Sequence, residues 1–102
     1  MTLPWQEKIV SASTQKGDHR LVPWRVCREA AREAGIPARK AELWACENGI
    51  CPSRYERSLG TLGLAGQARL LASRAAVIGC GGLGGWIVEI LARAGVGEIV
   101  VV

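Results

Sequence analysis

The sequence holds no phenylalanine, one tyrosine and a single histidine, His19. Its four cysteines, Cys27, Cys46, Cys51 and Cys80, include no Cys-x-x-Cys pair, so a tetrahedral zinc site has no spacing to rest on and no metal site is expected. The opening Met1-Thr2-Leu3-Pro4-Trp5 runs into charged Glu7 and Lys8 and not into an apolar signal core, which also speaks against a disulfide framework. The longest uncharged stretch, Ala75 to Val88, contains five glycines. It falls short of the roughly 20 apolar residues that a membrane helix needs. A reducing cytoplasm, with no membrane partner, is the expected setting. Runs of like charge are absent too, which excludes a nucleic-acid tail.

What remains is ordinary for a globular chain. Of 102 residues, 49% are hydrophobic and 22% charged, which excludes wholesale disorder. The net charge of +4 is mild, and most of the excess lies before Leu59. It suits an anionic small ligand or an acidic partner.

Along the chain, three stretches differ in pattern. Residues 1–23 carry no clear period and read as a poorly ordered lead-in, with a polar turn at Gln15 to Arg20 and Pro23 closing it. Residues 24–58 read as a helical arm. Val26, Ala30 and Ala34 recur every four residues, and Gly35-Ile36-Pro37 stops that helix. A second helix, from about Ala38 to Asn48, carries Ala41, Trp44 and Ala45 on one face and stops at Gly49 to Pro52. Pro52 suits the first position of a third short helix bearing Arg54, Tyr55 and Arg57. Glycines 60, 63 and 66 then break the chain, before one or two turns from Gln67 to Ser73.

Residues 59–102 read as the start of a Rossmann-like nucleotide-binding domain, giving an α/β fold class with a partial βαβ unit behind a small helical arm. Ala75-Ala76-Val77-Ile78 has the continuous apolar character of a buried parallel strand. A glycine loop follows, then a helix with Leu83, Ile87, Ile90, Leu91 and Ala94 on one side and Glu89 and Arg93 paired outside. Gly95-Val96-Gly97 ends it, and Glu98 to Val102 begins a second strand.

The pattern Gly79-x-Gly81-x-x-Gly84 therefore lies between strand and helix, where a nucleotide fingerprint belongs. Gly79 permits the tight turn, Gly81 lets a phosphate approach the backbone, and Gly84 lets helix and strand pack closely. Free N–H groups of the first helical turn, with the positive end of the helix dipole, attract the phosphate. Cys80, in the same loop, is expected to be the most reactive thiol. The acidic residue that dinucleotide folds place about 20 or more positions beyond the first glycine falls just past Val102.

From Arg54 onward the chain resembles the E1-like adenylyltransferase superfamily, the HesA, MoeB and ThiF proteins. The likeness is carried by Arg54-Tyr55-Glu56-Arg57, Gly66-Gln67-Ala68-Arg69-Leu70-Leu71, Ser73-Arg74, the doubled-glycine loop and Ala94-Gly95-Val96-Gly97. It implies an enzyme that uses ATP with magnesium to adenylate the C-terminal carboxylate of a ubiquitin-like or sulfur-carrier protein. It also implies a homodimer in which Arg57 reaches the ATP phosphates of the partner subunit, while Gly79, Gly81, Gly82 and Gly84 line the nucleotide site. The ribose-binding acid and the remaining catalytic residues of that family would lie beyond Val102, so this stretch reads as an N-terminal part, inactive alone. Two other readings stand beside it. An NAD(P)- or FAD-dependent oxidoreductase would use the same loop but leave Arg54 to Arg57 and Gly66-Gln67 without a task. A helix-turn-helix module at Trp24 to Asn48 would bind DNA, but Glu42 and Glu47 answer Arg39 and Lys40 on its second helix. Cys27 and Cys46 read as small hydrophobes on helix faces and Cys51 as a turn residue. Tyr55 and Leu59 read as packing residues, and the four tryptophans as scattered.

Overall fold

Five α-helices and five strands alternate in a mixed α/β arrangement, seen in a computed structural model that describes residues 2–79 and 81–102. Helix α1 spans Pro4–Ala12, strands β1 (Thr14–Lys16) and β2 (His19–Val22) form a hairpin, and helices α2 (Trp24–Ala34) and α3 (Ala38–Glu47) follow. Strand β3 (Ile50–Pro52) leads into a 3₁₀ turn, Ser53–Ser58, and then helix α4, Leu59–Ala72. Strand β4 (Arg74–Val77), helix α5 (Gly82–Ala94) and strand β5 (Glu98–Val101) complete the chain.

The first 23 residues differ from the expected lead-in without regular structure. Pro4 occupies the first turn of α1, where its missing N–H costs nothing, and the Gln6 side chain accepts the Leu3 N–H at 2.9 Å. Only Ile9 of this helix is fully buried, so no stripe announces it in the sequence. Its anchors are tertiary. The Trp5 ring meets Trp44 of α3 edge-on at 5.6 Å, so these two tryptophans are neighbours and not scattered. Lys8 pairs with Glu33 of α2 at 2.6 Å. The polar turn read at residues 15–20 is the hairpin turn, with Gly17 at φ 59.

Helices α2 and α3 sit where the four-residue spacing places them. Gly35 ends α2 in the left-handed region at φ 69 and returns its N–H to Arg32 and Ala31 carbonyls. Pro52 closes β3, which is fully buried and pairs in parallel with β2, and as N-cap it stands one place before the short 3₁₀ helix Ser53–Ser58 that bears Arg54, Tyr55 and Arg57. Cys51 is accordingly a buried strand residue and not a turn residue. Of the three glycines expected to break the chain, Gly63 alone leaves helical geometry, at φ 70 and ψ 169; Gly60 and Gly66 stay within α4. A small core of Ile9, Val22, Val26, Ala30, Ala41 and Ile50 joins α1, α2, α3 and the three-stranded sheet. A second, of Cys46, Cys51, Tyr55 and Leu71, joins α3 and β3 to α4.

The last third hangs on α4. Strands β4 and β5 pair in parallel, Arg74 opposite Glu98 through Val77 opposite Val101, with α5 between them in sequence. Gly97 donates to the Leu70 carbonyl at 2.9 Å and Glu98 to that of Ser73 at 3.2 Å. This approach is so close that a Cβ on Gly97 would collide with the Leu71 carbonyl. Gly95, at φ 96, leaves no room either, because the Gln67 amide and the Tyr55 ring press on it. Gly85, by contrast, faces open space within α5. Gly95→Ala and Gly97→Ala are therefore each expected to destabilise the chain by about 2 kcal/mol or more. Gly85→Ala is expected to stabilise it by about 0.5–1 kcal/mol, as alanine does for glycine in a helix interior. Urea unfolding midpoints of the three variants test that ordering.

Candidate functional site

The candidate site is the loop joining β4 to α5, and its backbone is set by glycine. Gly79 turns the chain at φ 77 and donates its N–H to the Val102 carbonyl at 2.9 Å, which ties the loop to the end of β5. Gly81 is the N-cap of α5, extended at φ −83 and ψ 165, and Gly82 begins the helix at φ 31. Gly84 is buried, and a Cβ there would run into the carbonyl of Gly79. Its N–H turns back to the Gly81 carbonyl at 2.7 Å. No side chain caps the first turn of α5, and no acidic residue lies within it. The helix N-terminus therefore offers amide donors and a positive dipole end that no side chain caps among the described residues. Such a corner attracts an anion. Cys80, expected to be the reactive thiol, lies outside the described residues.

The other end of α5 gathers the residues of the family motif. The Gln67 side chain, buried in α4, donates from Nε2 to the Ala94 carbonyl at 2.9 Å, while its Oε1 is buried and has no partner among the described residues. The Tyr55 ring, 2% exposed, packs against the same C-cap glycine, Gly95. Tyr55, Gln67, Gly95 and Gly97 thus form one joint that fixes α5, and through it the glycine loop, to the helical part of the chain. Tyr55 is a packing residue, as read from the sequence.

Arg54 and Arg57 flank Tyr55 but do different things. Arg54 reaches back to α3, where Nε and Nη2 donate to Glu42 Oε2 and Oε1 at 3.0 and 2.6 Å. Its guanidinium also lies over the rings of Tyr55 at 4.8 Å and Trp24 at 5.4 Å. Glu42 is 1% exposed. Burial pushes its carboxyl above the ordinary value, and the Arg54 bonds pull it part of the way back. Glu42 therefore answers Arg54 and not Arg39 or Lys40. An acid beside the apolar Ala41 and Ala45 was the available signal for this. Arg57 is exposed and makes no hydrogen bond or ion pair among the described residues, so no such contact joins it to the glycine loop.

The remaining candidates are inert by their surroundings. Cys27 and Cys46 are buried and their thiols are pushed up to about 12, with Cys51 pushed up to about 11, in each case chiefly by burial. All three are expected to resist iodoacetamide at neutral pH until the chain unfolds, which mass spectrometry of the labelled peptides with and without urea checks. His19 is exposed in the hairpin. Among the described residues no group of three His, Cys, Asp or Glu could hold a metal ion, and no helix is long and apolar enough to cross a membrane.

Comparison with known proteins bears on the same half of the chain. The ThiF family matches residues 55–102. The SAMP-activating enzyme E1 of Haloferax volcanii is 51% identical over 51 residues, covering 48% of this chain and 19% of that protein. The adenylyltransferase and sulfurtransferase MOCS3 of Bos taurus is 50% identical over 48 residues, 45% of this chain and 10% of the relative. The tRNA threonylcarbamoyladenosine dehydratase of Haemophilus influenzae is 42% identical over 52 residues, 47% and 20% of the two chains. The chain spans a fifth or less of the length of these relatives. No solved structure matches it. The glycine loop, the Tyr55–Gln67–Gly95 joint and these matches all fall in one segment, residues 55–102, which is similar to the ThiF family and to E1-like adenylyltransferases.

Proposed function

We propose that the Rossmann-like unit of β4, α5 and β5 is the phosphate-binding corner of an ATP-dependent adenylyltransferase acting on a ubiquitin-like or sulfur-carrier protein. The observation that carries this reading is the uncapped N-terminus of α5, opened by a glycine loop in which Gly84 fits under the Gly79 carbonyl. The names of two relatives, an E1 that activates SAMP and an adenylyltransferase and sulfurtransferase, support the reaction class. In that reaction a carboxylate oxygen of the carrier's C-terminus attacks the α-phosphorus of ATP. The bond between the α-phosphorus and the bridging oxygen breaks, pyrophosphate leaves with the electron pair, and an acyl-adenylate remains.

The part assigned to this chain is positional and electrostatic. Backbone N–H groups of the loop hold phosphate oxygens, with Gly79, Gly81, Gly82 and Gly84 lining the site. Arg57, exposed and unengaged, is assigned to the ATP phosphates of a partner subunit in a homodimer. Magnesium belongs to the nucleotide in this reading, and the described residues offer no ligand set for it. The 102 residues alone are expected to catalyse no adenylylation, and the setting is taken to be the cytoplasm, without a nucleic-acid or membrane partner.

Gly81 separates binding from folding. Its φ of −83 suits any residue and a Cβ there meets nothing within 4 Å, so valine is compatible with the fold. The valine methyls would occupy the space through which a phosphate approaches. Grafted in place of the corresponding stretch of the Haloferax volcanii relative, residues 55–102 should support ATP binding. Gly81→Val in that graft should weaken ATP by at least tenfold, about 1.4 kcal/mol, with a thermal midpoint within a few degrees of the parent. Unchanged ATP affinity would remove the loop from the nucleotide site. Binding of NAD in place of ATP would favour the oxidoreductase reading instead.

A further inference from the structure

Helix α2 sorts its charges onto two faces. Arg25, Arg28 and Arg32 are all exposed and follow one another at three and four residues. At 3.6 residues per turn they fall within about 60° of arc and spread over about 10 Å of helix. Glu29 and Glu33 lie to one side of that row and lean toward α1, where Lys8 meets them at 3.7 and 2.6 Å. Among the described residues none of the three arginines makes an ion pair or hydrogen bond. Together with Glu29 they line a shallow hollow of about 190 Å³.

The row is also partly fixed in place. The Arg28 guanidinium lies 4.7 Å above the Trp24 ring, which holds it flat against the helix start. Arg54 shares that ring, but its charge is already met by Glu42. Three adjacent guanidiniums repel one another along the helix, and Glu29, which also faces Lys8 at 3.7 Å, offsets only part of that charge.

We propose that the Arg25–Arg28–Arg32 face of α2 is a docking surface for an acidic helical segment of a protein, with carboxylates at matching three- and four-residue spacing. Each guanidinium presents a planar fork that fits a carboxylate with two parallel hydrogen bonds. The short length of the row and the flanking Glu29 and Glu33 fit a peptide helix better than a nucleic acid. A duplex carries a charge about every 1.7 Å along its axis and favours a longer, unbroken basic track. The surface lies on the helical arm and does not rest on the nucleotide reading.

The test uses the whole chain and a labelled alanine-rich helical peptide bearing glutamates at i, i+3 and i+7, followed by fluorescence anisotropy. At about 0.15 M salt, a condition that already screens loose attraction, the glutamate peptide should bind at least tenfold more tightly than its glutamine counterpart. The triple variant R25A, R28A, R32A should lose at least tenfold while keeping its circular dichroism, since alanine favours the helix. Arg28→Lys should fall between, because lysine keeps the charge but loses the fork. The paired variant R39Q, K40Q on α3 should bind as the parent does. The proposal is overturned by equal binding of the glutamine peptide, by a triple variant that binds normally, or by equal loss in the α3 variant. It is overturned equally by no binding at about 1 mM peptide, or by tighter binding of a short DNA duplex at the same salt.

Discussion

Replacing Arg54 by alanine is expected to destabilise the chain by about 3 kcal/mol at neutral pH. The residue removed is 43% exposed in its side chain, but the residue left behind, Glu42, is 1% exposed. Most of the cost arises there, from a buried carboxylate that loses both hydrogen bonds and its counter-charge. The estimate sits at the lower end of the range for buried pairs because the half-solvated arginine is itself partly screened. The pH dependence has a definite sign. Burial already holds the Glu42 carboxyl above its ordinary value of 4.5, and Arg54, with a smaller share from the Tyr55 hydroxyl, pulls it down. In the variant the carboxyl rises further in the folded state. A raised carboxyl contributes stability below its unfolded value and loses that contribution as pH climbs through its folded value. The deficit of Arg54→Ala should therefore be largest at neutral pH and shrink as the pH falls through the folded-state values of the Glu42 carboxyl, which in parent and variant alike lie above 4.5. Adding Glu42→Gln should recover much of it, since a neutral amide is cheaper to bury unpaired than a carboxylate. Chemical denaturation across pH measures this, and a deficit independent of pH, or none at all, contradicts the assignment.

Arg57→Ala should do the opposite, leaving stability within about 0.5 kcal/mol of the parent because the side chain is exposed and unengaged. Its effect belongs to the reaction. Measured in the grafted Haloferax volcanii relative, loss of one charge-assisted contact to the phosphates should cost about two to three decades of pyrophosphate exchange, or ~2–4 kcal/mol. If the arginine acts on the partner subunit's nucleotide, heterodimers test it. Mixing Arg57→Ala subunits with Gly81→Val subunits leaves one site in each mixed dimer with both an intact loop and an intact arginine. Partial recovery of exchange is the expected result. Recovery of nothing, with mixed dimers shown to form, places Arg57 beside its own subunit's loop.

The parts of this molecule that were legible in the sequence are those whose cause is local. The stop at Gly35, the end of α5 at Gly95 and the loop at Gly79 to Gly84 each follow from a glycine with positive φ or no room for a Cβ. The Glu89–Arg93 pair follows from four-residue spacing and stands at 2.6 Å. Helix α1 was hidden because its stability comes from elsewhere, from Trp44 on α3 and Glu33 on α2, while its own sequence buries only Ile9 fully. Strand β3 was hidden for the same reason: Ile50-Cys51-Pro52 has a helix-stop composition, and its partner, β2, lies a helical pair away. At the site, the glycines could be placed by their neighbours in sequence. Arg57 could be named only by family likeness, because an exposed arginine with no partner among the described residues leaves no local trace. The joint of Tyr55, Gln67 and Gly95 was visible as separate pieces of the family resemblance but not as one contact, since it brings together three separate elements.

If this loop serves adenylylation, ATP-dependent pyrophosphate exchange is the reaction that reports it. The protein is the Haloferax volcanii relative with residues 55–102 of this chain grafted over the corresponding stretch, supplied with its carrier protein and magnesium. The graft should exchange labelled pyrophosphate into ATP within about tenfold of the parent enzyme, require the carrier's C-terminal carboxylate, and be indifferent to NAD. A folded graft that binds NAD, ignores ATP and exchanges nothing would contradict the account.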